Sequence, residues 1–366
     1  MYFRPLNYLN HNSQKMDFIE IKGYKSIKDA RIELRPINIL IGANGSGKTN
    51  FLSFFEFLNN LYERKLTQYI ALNGGEEKFL HHGSKVTEAI EAKLSFENET
   101  IEYSFILVQG SDGLKFLREI AYLNNLEESI SEYGKEASIK TTNFYIPQNL
   151  QTSLEGLKKY HFHDTGKNSP FNKLNKVDLD GFFLYEKGDN LTAFLYVIRH
   201  SNIIVYNRII KVIQSIAPYF SDFFFRPNTE GYFRLLWQDK YSSNVYGATD
   251  LSDGTIRFIA LTTLFLQPNL PQTLVIDEPE LGLHPFAISK LAGMIKSVAA
   301  KGTQVIVATQ STDLLSYFEP DDIIAVDQNN GESVFNRLKQ EELEVWLEDY
   351  SLGDLWKRNI ITEGQP

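Results

Sequence analysis

The chain has 366 residues, of which 43% are hydrophobic and 13% aromatic, so it can bury a sizeable core and global disorder is excluded. Its 37 Lys and Arg against 46 Asp and Glu give a formal net charge of −9, so any binding of nucleic acid requires a local basic patch. The sequence has no cysteine and no apolar run as long as a signal peptide core or a membrane span, which excludes disulfides and predicts a cytoplasmic protein that does not bind membrane.

The first third of the chain predicts strands around one helix. After an N-terminal extension, residues 1–16, apolar and polar residues alternate over 17–22 and 30–34, which predicts half-buried strands. The continuous apolar run 37–41 predicts a buried strand that ends in a glycine turn. The spacing of apolar residues over 50–62 is typical of an amphipathic helix.

The middle of the chain is less regular. Alternating runs over 88–123, separated by turn residues, predict an antiparallel meander. Residues 127–190 are rich in Gly, Asn, Ser and Lys, which predicts long loops. A helix is expected over 191–219, followed by short strands at 223–225 and 232–237.

In the last third of the chain, predicted helices alternate with predicted strands. Helices are predicted at 254–266 and 286–300, and buried strands at 273–276 and 304–309. This alternation favours a parallel sheet and an α/β fold.

These patterns divide the chain into three segments after the extension. Residues 17–126 are predicted to form an N-terminal lobe with the glycine turn and the meander, and residues 127–250 an insertion or lid subdomain. Residues 251–366 are predicted to form a C-terminal lobe.

Residues 42–49 read GANGSGKT, a full match to the phosphate-binding P-loop. The glycines let backbone N–H groups cradle phosphate oxygens, with Lys48 expected on the β- and γ-phosphates and the hydroxyl of Thr49 on Mg²⁺. The sequence therefore predicts ATP and Mg²⁺ as ligands. The predicted nucleotide-binding residues here are Asn44, Gly45, Ser46, Gly47, Lys48, Thr49 and Asn50.

Residues 273–280 read TLVIDEPE, a buried strand that ends in adjacent acids. Asp277 at the strand end suits a contact to Mg²⁺, and Glu278 can polarise an attacking water molecule. Adjacent acids are common in loops, so this prediction depends on the P-loop.

Residues 251–255 read LSDGT and open a helix. Ser252 is a natural N-cap, which explains its position without any ligand. Alternatively, Ser252 and the backbone N–H of Gly254 bind a γ-phosphate held by another subunit.

The order of P-loop, serine-glycine signature, acidic strand end and final strand resembles the ABC-type ATPase heads of the RecF and SMC branch. The resemblance implies a P-loop NTPase fold with a mixed central sheet, an N-terminal antiparallel β-subdomain and a helical or loop-rich insertion carrying the signature motif. It also implies Mg²⁺-dependent ATP hydrolysis in a homodimer, because each site combines the P-loop and acids of one head with the signature of the other.

Two features carry that resemblance further, and a third departs from it. Asp253 replaces the first signature glycine, as in RecF-like and SMC-like ATPases. Residues 281–285 (LGLHP), with Gly282 and His284, correspond to the dimer-contact loop. Gln310 stands where most members have histidine; it can donate to a γ-phosphate but does not titrate near neutral pH, so hydrolysis is expected to be slow or conditional.

The segments YHFHDT (160–165) and WLEDYSLGDLW (346–356) are similar to compact bacterial predicted AAA-family ATPases. The stretch after Gln310 is too short for the Toprim domain that follows such heads in OLD nucleases. The resemblance also implies a glutamine that links nucleotide to lid, for which Gln109 and Gln148 are both candidates.

The biological task has two open alternatives. One is an ATP-gated dimer that acts on DNA, in DNA repair or in antiviral defence against foreign DNA. The other is a sensor that regulates a separate effector protein, such as a nuclease or toxin. A transporter ATPase subunit is disfavoured by Asp253 and Gln310. The lysines at 22, 25 and 28 fit a phosphate contact or a solvated face equally well, and the four histidines at 81, 82, 161 and 163 match no standard metal spacing.

Overall fold

The structure of the chain is a computed structural model that describes residues 15–111, 113–124, 126–131, 133–142 and 148–362. The predicted N-terminal extension, residues 1–16, lies outside the described residues except for Lys15 and Met16, and Met16 opens the first strand.

The strands and helices are numbered in chain order. The strands are β1 (Met16–Tyr24), β2 (Ile27–Glu33), β3 (Ile37–Ile41), β4 (Ala89–Phe96), β5 (Ile101–Gly110), β6 (Gly113–Leu123), β7 (Leu126–Ser131), β8 (Lys158–Tyr160), β9 (Asn175–Lys176), β10 (Phe220–Phe223), β11 (Tyr232–Phe233), β12 (Leu236–Asp239), β13 (Val245–Gly247), β14 (Thr273–Asp277), β15 (Gln304–Ala308), β16 (Ile323–Asn329) and β17 (Glu332–Arg337). The helices are α1 (Lys48–Tyr62), α2 (Leu66–Leu72), α3 (Gln148–Glu155), α4 (Val177–Asp180), α5 (Leu191–Ser201), α6 (Ile203–Ile216), α7 (Asp253–Leu266), α8 (Pro285–Ala300), α9 (Thr312–Leu315), α10 (Gln340–Leu347) and α11 (Leu352–Lys357).

An antiparallel sheet with the strand order β2-β1-β4-β5-β6-β7 forms the N-terminal lobe. β4, β5 and β6 pair as successive hairpins, with Tyr103 opposite Leu94 on one side and Ala121 on the other. Alternate residues of β5 are buried, as the period of a half-buried strand requires. The predicted meander is confirmed.

A second sheet with the order β17-β16-β3-β15-β14-β8 forms the centre of the molecule. Neighbouring strands are parallel except for β17, which pairs antiparallel with β16 at the edge. All residues of β14 and β15 are buried, because helices cover both faces of a parallel sheet. The mixed central sheet is therefore confirmed.

Helix α1 lies between the two sheets. Its aromatic side chains, including Phe54 and Phe57, pack in one apolar cluster with Ile19 of β1 and with Val275 of β14. Ile276, the next residue of β14, points to the opposite face and joins the cluster formed by α7 and α8. Alternation along β14 therefore places Val275 and Asp277 on the face covered by α1.

The prediction of one helix over 191–219 is wrong. The chain forms two helices, α5 and α6, which are separated at Asn202. Asn202 has an extended ψ of 77° and its side-chain oxygen accepts a hydrogen bond from the N–H of Val205, so it caps the second helix. No helix of the described residues is long and apolar enough to cross a bilayer.

The short strands of the insertion also differ from the prediction. The expected strand at 223–225 lies earlier, as β10, and the expected strand at 232–237 divides into β11 and β12. β11 pairs with β9, whereas β12 pairs with β10 and β13. β8, from the same region of the chain, lies in the central sheet beside β14.

Candidate functional site

The segment between β3 and α1 forms a compact glycine turn at the carboxyl end of the central sheet. Gly42, Gly45 and Gly47 have φ angles of 149°, 83° and 114°. A Cβ atom on Gly47 would collide with the hydroxyl oxygen of Ser333, so position 47 has room only for glycine. Because α1 begins at Lys48, the N–H groups of its first turn have no partner within the helix and can donate hydrogen bonds to an anion.

Lys48 is buried beneath this turn. Its ammonium group donates hydrogen bonds to the carbonyl oxygens of Gly42 (2.6 Å) and Ala43 (2.9 Å). Burial lowers the pKa of Lys48 from its ordinary value, and the negative charges of Glu278 and Asp277 oppose that shift. These neutral acceptors leave the ammonium group able to gain a stronger, charged partner from a phosphate.

The remaining P-loop side chains differ in exposure. Ser46 is buried, and its hydroxyl oxygen has no hydrogen-bond partner among the described residues. The side chain of Asn50 is half-buried and donates to Ser26 Oγ at 2.7 Å. The exposed residues are Asn44, Gly45 and Thr49.

Asp277 ends β14 and is 8% exposed. Its Oδ2 forms an ion pair at 3.0 Å with the ammonium group of Lys159, which lies on the neighbouring strand β8. A cation thus already stands against this carboxylate. The hard oxygen donors of Asp277 and Thr49 are the ligand type that Mg²⁺ takes, so the residues present fit this ion.

Glu278 has a φ angle of 41°, a strained value for a residue with a side chain. Its backbone N–H donates to Ala308 O at 2.8 Å, which ties the acidic turn to the end of β15. The side-chain amide of Gln310, just beyond β15, donates to Oε1 of Glu278. The two predicted catalytic side chains are therefore in direct contact.

Glu280 is a buried carboxyl group that sequence reasoning missed. Its Oε1 accepts hydrogen bonds from Thr309 Oγ1 (2.5 Å) and from the N–H of Gln310 (3.3 Å). Burial raises the pKa of Glu280 to about 7. The sequence signal was the glutamate after Pro279 in DEPE, but only the fold shows that its side chain turns inward beneath Gln310.

Ser252 is the N-cap of α7, as the interpretation without a ligand predicts. Its Oγ accepts a hydrogen bond from the N–H of Thr255 at 3.2 Å. Ser252 and Asp253 are exposed, and Gly254 is half-buried. The start of this helix is therefore accessible from solvent while Ser252 caps it.

The second half of the loop between Glu278 and α8, residues 281–284, is largely exposed. Gly282 has a φ angle of 74°, and His284 caps α8 by accepting from the N–H of Phe286 at 3.3 Å. Leu281 and Phe286 beside them are 44% and 50% exposed. Apolar side chains thus flank both residues that were predicted in the dimer-contact loop.

The two candidates for the lid glutamine, Gln109 and Gln148, are not among the residues found beside Asp277. Gln109 is exposed at the end of β5, next to the turn into β6, and the side chain of Gln148 lies outside the described part of the chain. The residues after β8 adjoin Asp277 instead. His161 follows Tyr160, which pairs with Ile276.

Those adjoining residues are two histidines with rings 4.2 Å apart. Nε2 of His163 lies 3.0 Å from the carbonyl oxygen of Asp277. Nδ1 of His161 is buried without a partner among the described residues, and burial lowers its pKa. The sequence singled out both histidines but not their location beside Asp277, because that location depends on the pairing of β8 with β14, strands far apart in the chain.

The other histidines and the lysines have separate surroundings. His81 Nδ1 lies 2.7 Å from the carbonyl oxygen of Lys25, and His82 is exposed. Over the described ranges no three His, Asp or Glu side chains are grouped as they would be around a metal ion. Lys22 and Lys28 pair with Asp29 (3.5 Å) and Glu332 (2.8 Å), which matches a solvated face.

An open cavity of about 710 Å³ adjoins the first turn of α1. It is lined by polar groups that include Ser26 and Asn50 beside the P-loop and Lys25, Asn73, Glu77 and His82 further out. The cavity has room for a group larger than phosphate.

Comparisons with known proteins identify the family and the fold. A family profile described as "AAA domain, putative AbiEii toxin, Type IV TA system" matches residues 37–316. The crystal structure of an SMC head bound to the C-terminal winged-helix domain of ScpA superposes with a TM-score of 0.60, 19% identity, and coverage of 90% of this chain and 99% of that one. The SMC head with an extended coiled coil from Pyrococcus furiosus, bound to the C-terminal domain of ScpA, superposes with a TM-score of 0.60 and 17% identity. That match covers 92% of this chain and 99% of the SMC chain. Curated proteins give no match.

Proposed function

Because the chain belongs to the family described as AAA domain, putative AbiEii toxin, Type IV TA system, and has the fold of SMC and RecF-like ABC ATPase heads, we propose that it is a Mg²⁺-dependent ATPase that closes on ATP as a homodimer. The observation that carries the proposal is the convergence of the P-loop, Asp277, Glu278 and Gln310 at one edge of the central sheet. Sites at the carboxyl ends of parallel strands are the usual ligand sites of such folds.

In this proposal the P-loop holds the phosphates. The N–H groups from Gly45 to Asn50 surround the phosphate oxygens, and Lys48 exchanges its two carbonyl partners for the β- and γ-phosphates. The base and ribose occupy the open cavity beyond Asn50.

The acids at the end of β14 have separate roles. The hydroxyl of Thr49 and the carboxylate of Asp277 would hold Mg²⁺, in place of the ion pair that Asp277 now forms with Lys159. A Mg²⁺ ion held there would supply positive charge opposite the β- and γ-phosphates. Glu278 accepts a hydrogen bond from the attacking water and polarises it, while Gln310 orients Glu278 and reaches the γ-phosphate.

The second subunit completes each site. Ser252 and Gly254 at the exposed start of α7 contact the γ-phosphate bound by the partner, where the N-terminus of a helix favours an anion. Gly282 and His284 lie at the contact between subunits, and the exposed side chains of Leu281 and Phe286 supply apolar area there.

The closed dimer acts on DNA, in repair or in defence against foreign DNA, or it signals to an effector protein. The SMC heads of similar fold were solved with domains of ScpA, which supports a protein partner for such heads. The paired charges on the outer face of the antiparallel sheet, such as Lys22 with Asp29, also favour an effector over direct DNA contact at that face.

The test is ATP binding and hydrolysis by purified wild-type protein and by Lys48→Ala and Asp277→Ala. Lys48→Ala should abolish ATP binding, because the phosphates lose their main cationic partner. Asp277→Ala should weaken binding only when Mg²⁺ is present. If both variants bind and hydrolyse ATP as wild type does, the proposed site is wrong.

A further inference from the structure

Arg257 lies on α7, the helix that begins at the signature residues, and its guanidinium group contacts two other segments. Nε and Nη2 donate hydrogen bonds to the carbonyl oxygens of Phe162 (3.2 Å) and His163 (2.7 Å). Nη1 donates to the carbonyl oxygen of Leu281 at 2.9 Å. One side chain therefore joins the signature helix to the segment after β8 and to the loop after Glu278.

Both of these segments contact the acidic strand end. Nε2 of His163 lies 3.0 Å from Asp277 O and 3.3 Å from Glu278 O. The N–H of Leu281 donates to Glu278 O at 3.2 Å. Two of the three carbonyl groups that Arg257 binds, those of His163 and Leu281, thus belong to residues that contact the backbone of Glu278.

The start of α7 also packs directly against the loop that follows Glu278. A Cβ atom on Gly254 would lie 2.5 Å from the carbonyl oxygen of Gly282, and one on Gly282 would lie 2.6 Å from Nη1 of Arg257. A shift of the signature residues therefore displaces the loop and the guanidinium group together, since packed groups cannot interpenetrate.

We propose that Arg257 is a positioning residue that couples engagement of the signature helix to the setting of Glu278 in the same subunit. This inference rests on the proposed head-to-head dimer. There, Ser252 and Gly254 contact the partner's nucleotide, whereas Glu278 acts on the nucleotide of its own subunit. Arg257 is the link between these two sites, so a subunit that has engaged its partner's ATP sets its own Glu278 for hydrolysis.

The planar fork of arginine is needed for this role. Three donors of one rigid group reach three carbonyl oxygens, whereas a lysine ammonium on a flexible stem is a point charge. Arg257→Lys keeps the charge and loses the geometry. Arg208→Lys, at an exposed position on α6, is the matched control.

The experiment uses heterodimers purified through two different tags, each with a single working site because one subunit carries Glu278→Gln. In the first arrangement, Arg257→Lys is in the subunit that carries Glu278→Gln, so the working subunit keeps its arginine. In the second, Arg257→Lys is in the working subunit. The reference has Glu278→Gln in one subunit and no other change.

We expect the first arrangement to hydrolyse ATP at the reference rate and the second to be slower by roughly ten- to a hundredfold, the usual cost of a misplaced catalytic group. The affinity for ATP, measured with a fluorescent analogue, should stay within about twofold in both, because the P-loop is unchanged. Arg257→Gln should behave as Arg257→Lys does.

Equal rates in the two arrangements would overturn the inference while leaving the dimer intact. The inference would also be overturned if the first arrangement hydrolysed ATP more slowly than the reference and the second at the reference rate. Arg257 would then act on the site of the partner subunit. If ATP brings no heterodimer together, the proposed dimer itself is wrong, which is a separate and visible failure.

Discussion

The side-chain amide of Gln310 donates a hydrogen bond to Oε1 of Glu278, so the residue beyond β15 holds the carboxylate at the end of β14. The backbone N–H of Gln310 is bonded to Glu280 at 3.3 Å. Two acids from one turn thus fix both the backbone and the side chain of Gln310. The side-chain amide of Gln310 carries two N–H donors, so one can orient Glu278 while the other reaches a γ-phosphate.

Gln310→Ala should lower the turnover number by at least roughly tenfold without changing the affinity for ATP, because Glu278 loses its orienting donor while the P-loop is intact. Steady-state hydrolysis and equilibrium binding of a fluorescent ATP analogue separate the two quantities. Gln328→Ala, at an exposed glutamine on β16, is the control. An unchanged turnover number would show that the contact has no catalytic consequence.

Glu280→Gln should change how stability depends on pH. The pKa of Glu280 is about 7 in the fold, raised by burial, against an ordinary value of 4.5. The native state therefore binds this proton more tightly than the unfolded state. Its contribution to stability is complete below about pH 4.5 and is lost as pH rises through 7, to the extent of about 3 kcal/mol.

Glu280→Gln removes that loss, because the amide is neutral at every pH and can accept the same bonds from Thr309 and Gln310. Denaturant unfolding of wild type and variant at pH 5 and pH 8 measures the free energy of unfolding at each pH. Glu344→Gln, at an exposed site of α10, is the control. We expect the free energy of unfolding of Glu280→Gln to fall less than that of wild type between these values. Parallel changes in both proteins would contradict a neutral, buried Glu280.

The elements around the nucleotide site could be predicted because each has a local signal. β3, β14 and β15 are continuous apolar runs followed by a turn, as strands buried on both faces must be. The P-loop has its glycines, and Ser252 has the N-cap pattern. Their joint location at one edge follows from parallel pairing alone.

Other features depend on contacts between distant parts of the chain. The two histidines after β8 reach Asp277 only because β8 pairs with β14, which no local pattern reveals. The break at Asn202 was missed because apolar residues continue on both sides of it. The segment 220–225, FSDFFF, does not alternate regularly between apolar and polar residues, so the start of β10 could not be predicted.

Binding of DNA should depend on ATP and on salt. On the outer face of the antiparallel sheet, Arg31 pairs with Glu20 at 2.6 Å and Lys93 with Glu102 at 2.9 Å, so cations there are already neutralised. We expect the nucleotide-free protein to bind duplex DNA weakly and the ATP-closed dimer to bind it more tightly. That affinity should fall steeply as salt rises, because binding releases counterions.

Fluorescence anisotropy with duplex and single-stranded DNA, with and without MgATP and over a series of salt concentrations, measures this dependence. Lys48→Ala is the control, since it should not close. An absence of binding at low salt with MgATP would contradict the DNA hypothesis and leave the effector protein as the remaining one.

Glu278→Gln should convert the protein into a stable ATP-bound dimer. The substitution removes the charge that polarises water and keeps the shape, whereas Lys48, Thr49 and Asp277 still hold MgATP. Hydrolysis should fall by roughly 10²- to 10⁴-fold. Light scattering should then show a dimer that forms with MgATP and persists, while wild type returns to monomer as ATP is consumed.

Ser252→Arg in the same background should prevent that dimer. The exposed start of α7 is where the partner's γ-phosphate is proposed to lie, and a long side chain there fills the space that the phosphate needs. Ser215→Arg, an exposed serine on α6, adds the same side chain elsewhere and should dimerise normally. If Glu278→Gln binds ATP and stays monomeric, the composite site is wrong even though the P-loop is real. A dimer that forms without ATP would instead mean that ATP closes heads that are already associated. In that case the association does not depend on the nucleotide, and ATP changes only the distance between Ser252 and the phosphate bound by the opposite subunit.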